Sequence, residues 1–267
     1  MRCLEAVIFD WAGTTVDFGS LAPVRALTKL FASRGIQIND VDARREMGLY
    51  KKDHIRRLLS YTDVEAHWQR QYGRVANEDD VEAMFVDFAA MQMEILEDCS
   101  QLIEGIASLA TRLRGRGLKL GSTTGYTRPM LDVLVARASE QGYRTDLALC
   151  PDDVGGGRPH PWMCLRIALE FLLSSTAAAV KVGDTPSDVS EGRNAGMWTV
   201  GVTATGNEVG LTPLQLAALK PDERKRCLDR AHNNLMTAGA HYVIESAVGL
   251  DPILEQIDRR LAAGERP

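Results

Sequence analysis

The chain has 267 residues, 45% of them hydrophobic and 25% charged, with a formal net charge of −5. These proportions suit a globular protein made of one large α/β domain, or of a core with a smaller second domain. The acidic balance offers no basic face for nucleic acid, and no apolar run approaches the ~20 residues that a membrane span needs, so neither partner is expected.

Taken in chain order, Ala6-Val7-Ile8-Phe9 is a short apolar run with β-branched content, closed by Asp10. It reads as a buried strand followed by a turn at Gly13, and the chain after Met1 is expected to enter this strand rather than a signal peptide. From about 20 to 99 no strand is evident. That stretch predicts four or five consecutive amphipathic helices, one of them from Asp79 to Leu96. Strand-like runs resume at 118–122, 147–150, 178–182 and 198–202, separated by helical patterns near 104–116, 127–141, 161–173 and 186–195. Beyond 211, helices flank one more short strand at His241–Ile244. Alternation of this kind predicts a Rossmann-like parallel sheet with helices on both faces. The expected organisation is a catalytic core from residues 1–19 and 100–267, with an all-helical cap domain, 20–99, inserted above it. The five cysteines are scattered and odd in number, which reads as free thiols in a reducing cytoplasm. The five histidines are dispersed and argue against a zinc site.

Ligands of open α/β sheets bind beyond the carboxyl ends of the strands. There the first strand offers Asp10, the second Thr124 and Gly125, and the fourth Asp184 and, one helical turn on, Asp188. Arg158 follows three glycines ahead of a helix. Singly, each is an ordinary cap, turn or surface charge. In combination they suit phosphoryl chemistry. Asp10 can act as nucleophile toward phosphorus, and Asp10 and Asp184 suit Mg²⁺, a hard ion that prefers oxygen. Asp188 can orient metal-bound water. Thr124, the Gly125 amide and Arg158 can donate to phosphoryl oxygens.

Together these residues resemble the haloacid dehalogenase superfamily over nearly the whole chain. Two departures matter: the second acid of that superfamily's first motif is Ala12 here, and its usual lysine is Arg158. In the superfamily's phosphatases the missing acid protonates a departing alcohol, so either the site has decayed or its leaving group needs no acid. The strings Phe9-Asp10-Trp11-Ala12-Gly13-Thr14-Thr15, Met47-Gly48-Leu49, Gly121-Ser122-Thr123-Thr124-Gly125-Tyr126, Arg158-Pro159-His160-Pro161-Trp162-Met163 and Arg193-Asn194-Ala195-Gly196-Met197-Trp198 favour the second explanation. They resemble the phosphonoacetaldehyde hydrolases, or phosphonatases.

The resemblance implies cleavage of a carbon–phosphorus bond to give acetaldehyde and phosphate during 2-aminoethylphosphonate breakdown. It also implies a cap lysine that forms a Schiff base. Counted from Met47-Gly48-Leu49, that lysine is Lys51. The helical phase agrees: Lys51 shares a face with Ile55, Leu58 and Leu59, and Lys52 lies with Arg56 on the charged side. Met47, Tyr126 and His54 become candidates for substrate contact, with His54 either a proton-transfer group or a plain helix histidine. The Ala12 backbone carbonyl becomes the third metal ligand. Ser20 stands where some members carry a cysteine, and a homodimer associating through the cap is implied. The competing readings are a phosphatase or phosphomutase acting on P–O bonds, which Ala12 argues against, and a non-catalytic protein on a decayed fold. Retention of Asp10, Lys51, Arg158, Asp184 and Asp188 argues against the latter.

Overall fold

A computed structural model describes residues 3–267. Met1 and Arg2, the start of the expected core segment, lie outside the described residues. Six strands form one sheet: β1 (Ala6–Phe9), β2 (Lys119–Thr123), β3 (Leu147–Leu149), β4 (Ala179–Gly183), β5 (Trp198–Val202) and β6 (Tyr242–Ile244). Each end falls within one residue of its sequence expectation. Every pairing is parallel and the order is β3-β2-β1-β4-β5-β6. β1, β4 and β5 are buried along their whole length, which explains their uninterrupted apolar runs: a parallel sheet covered on both faces has no solvent side to alternate with. The chain winds outward from β1 to β3 on one side, then from β4 to β6 on the other. The winding reverses between β1 and β4, and a crevice opens there at the carboxyl ends.

Between β1 and β2 lies a helical insert of α1 (Leu21–Ser33), α2 (Asp40–Arg45), α3 (Lys51–Leu59), α4 (Thr62–Tyr72) and α5 (Glu78–Leu96). The remaining helices are α6 (Ile106–Gly115), α7 (Arg128–Glu140), α8 (Trp162–Glu170), α9 (Pro186–Asn194), α10 (Pro213–Ala218), α11 (Pro221–Thr237) and α12 (Asp251–Ala262). In the insert, α1 and α3 pack against α5. Leu27, Phe31, Ile55 and Phe88 of the insert belong to the same apolar cluster as Val7, Leu120 and Leu134 of the sheet and α7.

The entry to the insert is sharply turned. Asp17, Gly19 and Ser20 all have positive φ, at 51°, 89° and 50°. Ser20 precedes α1 without capping it through its side chain. Instead the Asp17 carboxylate accepts the Ala22 amide at 2.9 Å, supplying an acceptor for the first turn from three residues upstream of the usual cap.

Candidate active site

Three loops meet at the crevice. The turn after β1 carries Asp10 and Ala12, the one after β2 carries Thr124-Gly125-Tyr126, and the one after β4 carries Asp184 and Thr185. From above, the insert lowers the segment Met47–Lys51 onto them. Asp10, Ala12, Met47, Lys51, Thr124, Gly125, Tyr126, Arg158 and Asp184 line one cavity of about 20 Å³, together with Ser20. His54 is not part of that lining. It lies fully buried one turn along α3 from Lys51, with no hydrogen-bond partner on either ring nitrogen among the described residues. Burial, with Lys51 beside it, holds its pKa well below the ordinary value.

Close approach of the insert depends on missing side chains. A Cβ on Gly48 would lie 2.4 Å from Thr185 Oγ1, and one on Gly125 would lie 2.3 Å from the Leu49 carbonyl oxygen. Gly48 has a φ of +91°, a conformation that favours glycine for a second reason.

Lys51 opens α3 and is only 2% exposed. Its Nζ donates to Met47 Sδ at 3.5 Å and stands 5.4 Å from the centroid of the Tyr126 ring. Burial lowers its pKa to about 8, although Asp10 pulls the other way. A position at the positive end of a helix dipole also disfavours the ammonium form. Lys52 turns outward to pair with Glu82, and Arg56 pairs with Glu78.

Asp10 is raised to about 6 by burial and by Asp188, against the pull of Arg158. Arg158 Nη2 donates to Asp10 Oδ1 at 2.7 Å and to Thr123 Oγ1 at 2.9 Å, and its Nε donates to Glu191 Oε2 at 2.9 Å. Among the described residues its Nη1 has only a 3.4 Å contact, to the Gly48 carbonyl. Asp188 Oδ1 lies 2.9 Å from both Arg158 and Lys181, and these two cations outweigh the effect of burial and hold its pKa low. Its Oδ2 accepts the Thr185 hydroxyl at 2.6 Å. Asp188 therefore anchors two cations, a task its sequence position alone did not announce.

Asp184 sits in a cradle of glycines: a Cβ on Gly13 would fall 2.2 Å from its Oδ2, and one on Gly206 2.5 Å from its Cβ. Burial and the neighbouring Asp10 push its pKa well up. Asp10, Asp184 and Asp188 each offer a carboxylate oxygen within 4.8 Å of the others, a geometry able to hold a metal ion. The backbone carbonyl of Ala12, a residue that lines this cavity, accepts no hydrogen bond among the described residues. Fully ionised, the buried acids Asp10, Asp184, Asp188 and Glu191 exceed the cations Arg158 and Lys181 by two charges, and by one when Lys51 is protonated, an excess that a divalent cation would offset.

Residues 4–196 match the family of haloacid dehalogenase-like hydrolases. A phosphonoacetaldehyde hydrolase from Bacillus cereus (strain AH187) is 43% identical over 257 residues, covering 96% of this chain and 97% of its own. One from Syntrophobacter fumaroxidans is 43% identical over 264 residues, 99% of this chain and 95% of its own. The chain belongs to the phosphonoacetaldehyde hydrolase family. The crystal structure of a phosphonoacetaldehyde hydrolase-like protein from Oleispira antarctica superposes with a TM-score of 0.97 at 42% identity, over 99% of this chain and 96% of that one. A β-phosphoglucomutase from Clostridium difficile shares the fold alone, at a TM-score of 0.71 and 18% identity over 97% of this chain and 99% of that one.

Within this phosphonoacetaldehyde hydrolase fold, sequence reasoning overlooked Lys181, Glu191, Thr123 and Asn207. Lys181 Nζ donates to Thr123 Oγ1 at 2.9 Å, and the Thr123 hydroxyl reaches Glu191 Oε2 at 2.9 Å, so the three residues brace Arg158 from below. A signal was present: Lys181 interrupts the apolar β4, and a lysine inside a doubly covered parallel strand must find a buried acid. Asn207 carried no comparable signal.

Proposed function

We propose that this chain hydrolyses the carbon–phosphorus bond of phosphonoacetaldehyde, with Lys51 and Asp10 as its two nucleophiles. The observation that carries the reading is a buried lysine with a pKa near 8 in the same small cavity as the carboxylate that follows β1. Bound between Asp10, Asp184 and the Ala12 carbonyl, Mg²⁺ would supply positive charge that offsets repulsion between carboxylate and phosphonate.

Lys51 Nζ adds to the aldehyde carbon and water leaves, giving an iminium. A carboxylate oxygen of Asp10 attacks phosphorus, and the electron pair of the C–P bond moves into the iminium to form an enamine. Protonation of the enamine carbon and hydrolysis of the resulting imine release acetaldehyde and free Lys51. A second water cleaves the aspartyl-phosphate to phosphate and Asp10. No alcohol departs, so Ala12 in place of an acid costs nothing. Arg158 Nη1, Thr124 and the Gly125 amide are the donors proposed for the phosphoryl oxygens. Tyr126 gives Lys51 an aromatic face, and its hydroxyl stays protonated because burial raises its pKa well above the ordinary value. Asp188 holds Arg158 in place.

We also read residues 20–99 as a mobile cap over a core of 1–19 and 100–267. The 20 Å³ cavity has room for about one water, which supports an insert that lifts to admit substrate. A homodimer through this cap is part of the proposal; exposed Val86 and Met93 on α5 offer apolar surface for it. Light scattering is expected to give twice the chain mass, and a monomer at all concentrations would remove that part. The decisive assay mixes protein, Mg²⁺ and phosphonoacetaldehyde. Phosphate and acetaldehyde should appear in equal amounts, whereas phosphate release from simple phosphate esters without C–P cleavage would favour the phosphatase reading.

A further inference from the structure

Arg44 lies on α2, outside the catalytic cavity, at the seam between insert and core. Its Nη1 donates to the carbonyls of Gly19 at 2.9 Å and Ser20 at 3.3 Å and to Asn207 Oδ1 at 3.1 Å, and its Nη2 donates to the Gly210 carbonyl at 3.2 Å. All four acceptors are neutral, and none of the ion pairs found among the described residues includes Arg44. The loop that receives it is shaped for it: Gly210 has a φ of +67°, and a Cβ there would lie 2.6 Å from Arg44 Nε.

Asn207 is the other half of the contact. Its Nδ2 donates back to the Arg44 carbonyl at 3.3 Å, while its peptide N–H donates to Asp184 Oδ2 at 2.7 Å. A single buried residue thus holds the insert with its side chain and Asp184 with its backbone. The only other hydrogen bond found on the Asp184 carboxylate among the described residues is a long one, from Thr14 Oγ1 at 3.4 Å. The same loop accepts the Gly19 amide at the Thr205 carbonyl, at 2.7 Å, and so touches the turned entry to the insert as well.

We propose that Arg44 and Asn207 are a positioning pair that couples seating of the cap to the orientation of Asp184, so that cap closure and metal binding favour one another. The proposal rests on the reading of Asp184 as a metal ligand. When the cap lifts, Arg44 leaves with α2, the 203–210 loop loses its bonds to the guanidinium, and the Asn207 amide is no longer fixed against Asp184. Linkage then requires the reverse effect: metal on Asp184 favours the arrangement in which Arg44 is seated.

The test is calorimetric titration of the substrate-free protein with Mg²⁺, for the parent chain, Arg44→Met, Asn207→Ala and the double variant. Loss of a group that orients a metal ligand should weaken Mg²⁺ binding roughly tenfold in either single variant. The double variant should bind no more weakly than the singles, because both remove one coupled contact. In hydrogen exchange, Mg²⁺ should protect the amides of residues 17–21 and 43–47 in the parent and not in Arg44→Met. Parent-like Mg²⁺ affinity in Arg44→Met and Asn207→Ala, or additive losses in the double variant, would overturn the coupling. If Arg44→Met does not fold, Asn207→Ala alone decides, since its backbone donor to Asp184 is kept. Asp184→Asn separates the two readings: undiminished Mg²⁺ binding there defeats the metal site itself, whereas its loss with intact binding in the other variants defeats only the coupling.

Discussion

At Lys51 and Asp10, the two proposed nucleophiles, burial acts in opposite chemical senses. It favours the neutral form of each, lowering Lys51 to about 8 and raising Asp10 to about 6. For an amine that must attack an aldehyde this is a gain: about a tenth of Lys51 is neutral at pH 7, against well under a thousandth for a lysine at its ordinary value. For a carboxylate nucleophile it is a loss, which Arg158 offsets in part and a bound divalent cation would offset further. The amine fraction grows as pH rises, so with saturating Mg²⁺ the kcat/KM for phosphonoacetaldehyde should climb about tenfold per unit below Lys51's pKa and flatten above about 8. Borohydride added during turnover should trap the iminium as a secondary amine on the peptide holding Lys51. Lys51→Arg should be inactive, while Lys52→Arg, altered on the solvent-side pair with Glu82, should behave like the parent. A flat pH profile, or a label on Lys52, would rule out Lys51 as the Schiff-base residue.

Among the elements, the strands were readable because burial on both faces forces continuous β-branched runs, and Asp10 and Asp184 were readable because they end two of those runs. The helices of the insert were readable from their amphipathic spacing; Lys51 was singled out by the resemblance around Met47-Gly48-Leu49, and its phase with Ile55, Leu58 and Leu59 agreed with the burial found. Contacts that exist only once distant elements meet were not readable. Glu191 is an unremarkable helix residue until α9 packs against β4 and brings it to Lys181, and Asn207 gains its role only when α2 arrives with Arg44. The seat of the insert is similar: Gly125 looks like a turn glycine, yet its missing side chain is what lets the Leu49 carbonyl descend. A methyl group there meets the Gly48 and Leu49 carbonyls of the insert, and on the proposed reading of the insert as a cap that lifts it gains space when the cap opens. Gly125→Ala should therefore fold with kcat/KM lowered roughly a hundredfold, the scale of a misplacement of about 1 Å at a reacting centre, and by the coupling of cap seating to Asp184 its Mg²⁺ binding should weaken as well. Parent-like turnover would mean that the Met47–Lys51 segment does not need this close seat.

For the molecule as a whole, the acids at the sheet crevice are a source of strain that the metal is expected to relieve. Asp10 at about 6 and Asp184 well above its ordinary value both have folded pKa values above those of an unfolded carboxylate. The folded state then binds more protons than the unfolded one, so their contribution to stability falls as pH rises from about 4, a loss that for Asp10 ends above pH 6. For Asp10 the change is on the order of 3 kcal/mol. Asp188, held low by Arg158 and Lys181, titrates below this window, and Lys51 titrates above it, between about 8 and its ordinary value. Asp17 is also raised to about 6 by burial, but its carboxylate faces the α1 amides and Mg²⁺ should not change it. Mg²⁺ bound to the ionised acids in the folded state only would stabilise by mass action where they are ionised and would compete with protons where they are not. The Mg²⁺-induced rise in Tm should therefore be small at pH 5 and several degrees larger at pH 8. In Asp184→Asn the rise should vanish at both pH values. Calorimetric scans with and without chelator measure this directly, and an equal rise at pH 5 and pH 8 would show that the stabilising ion binds somewhere other than these carboxylates.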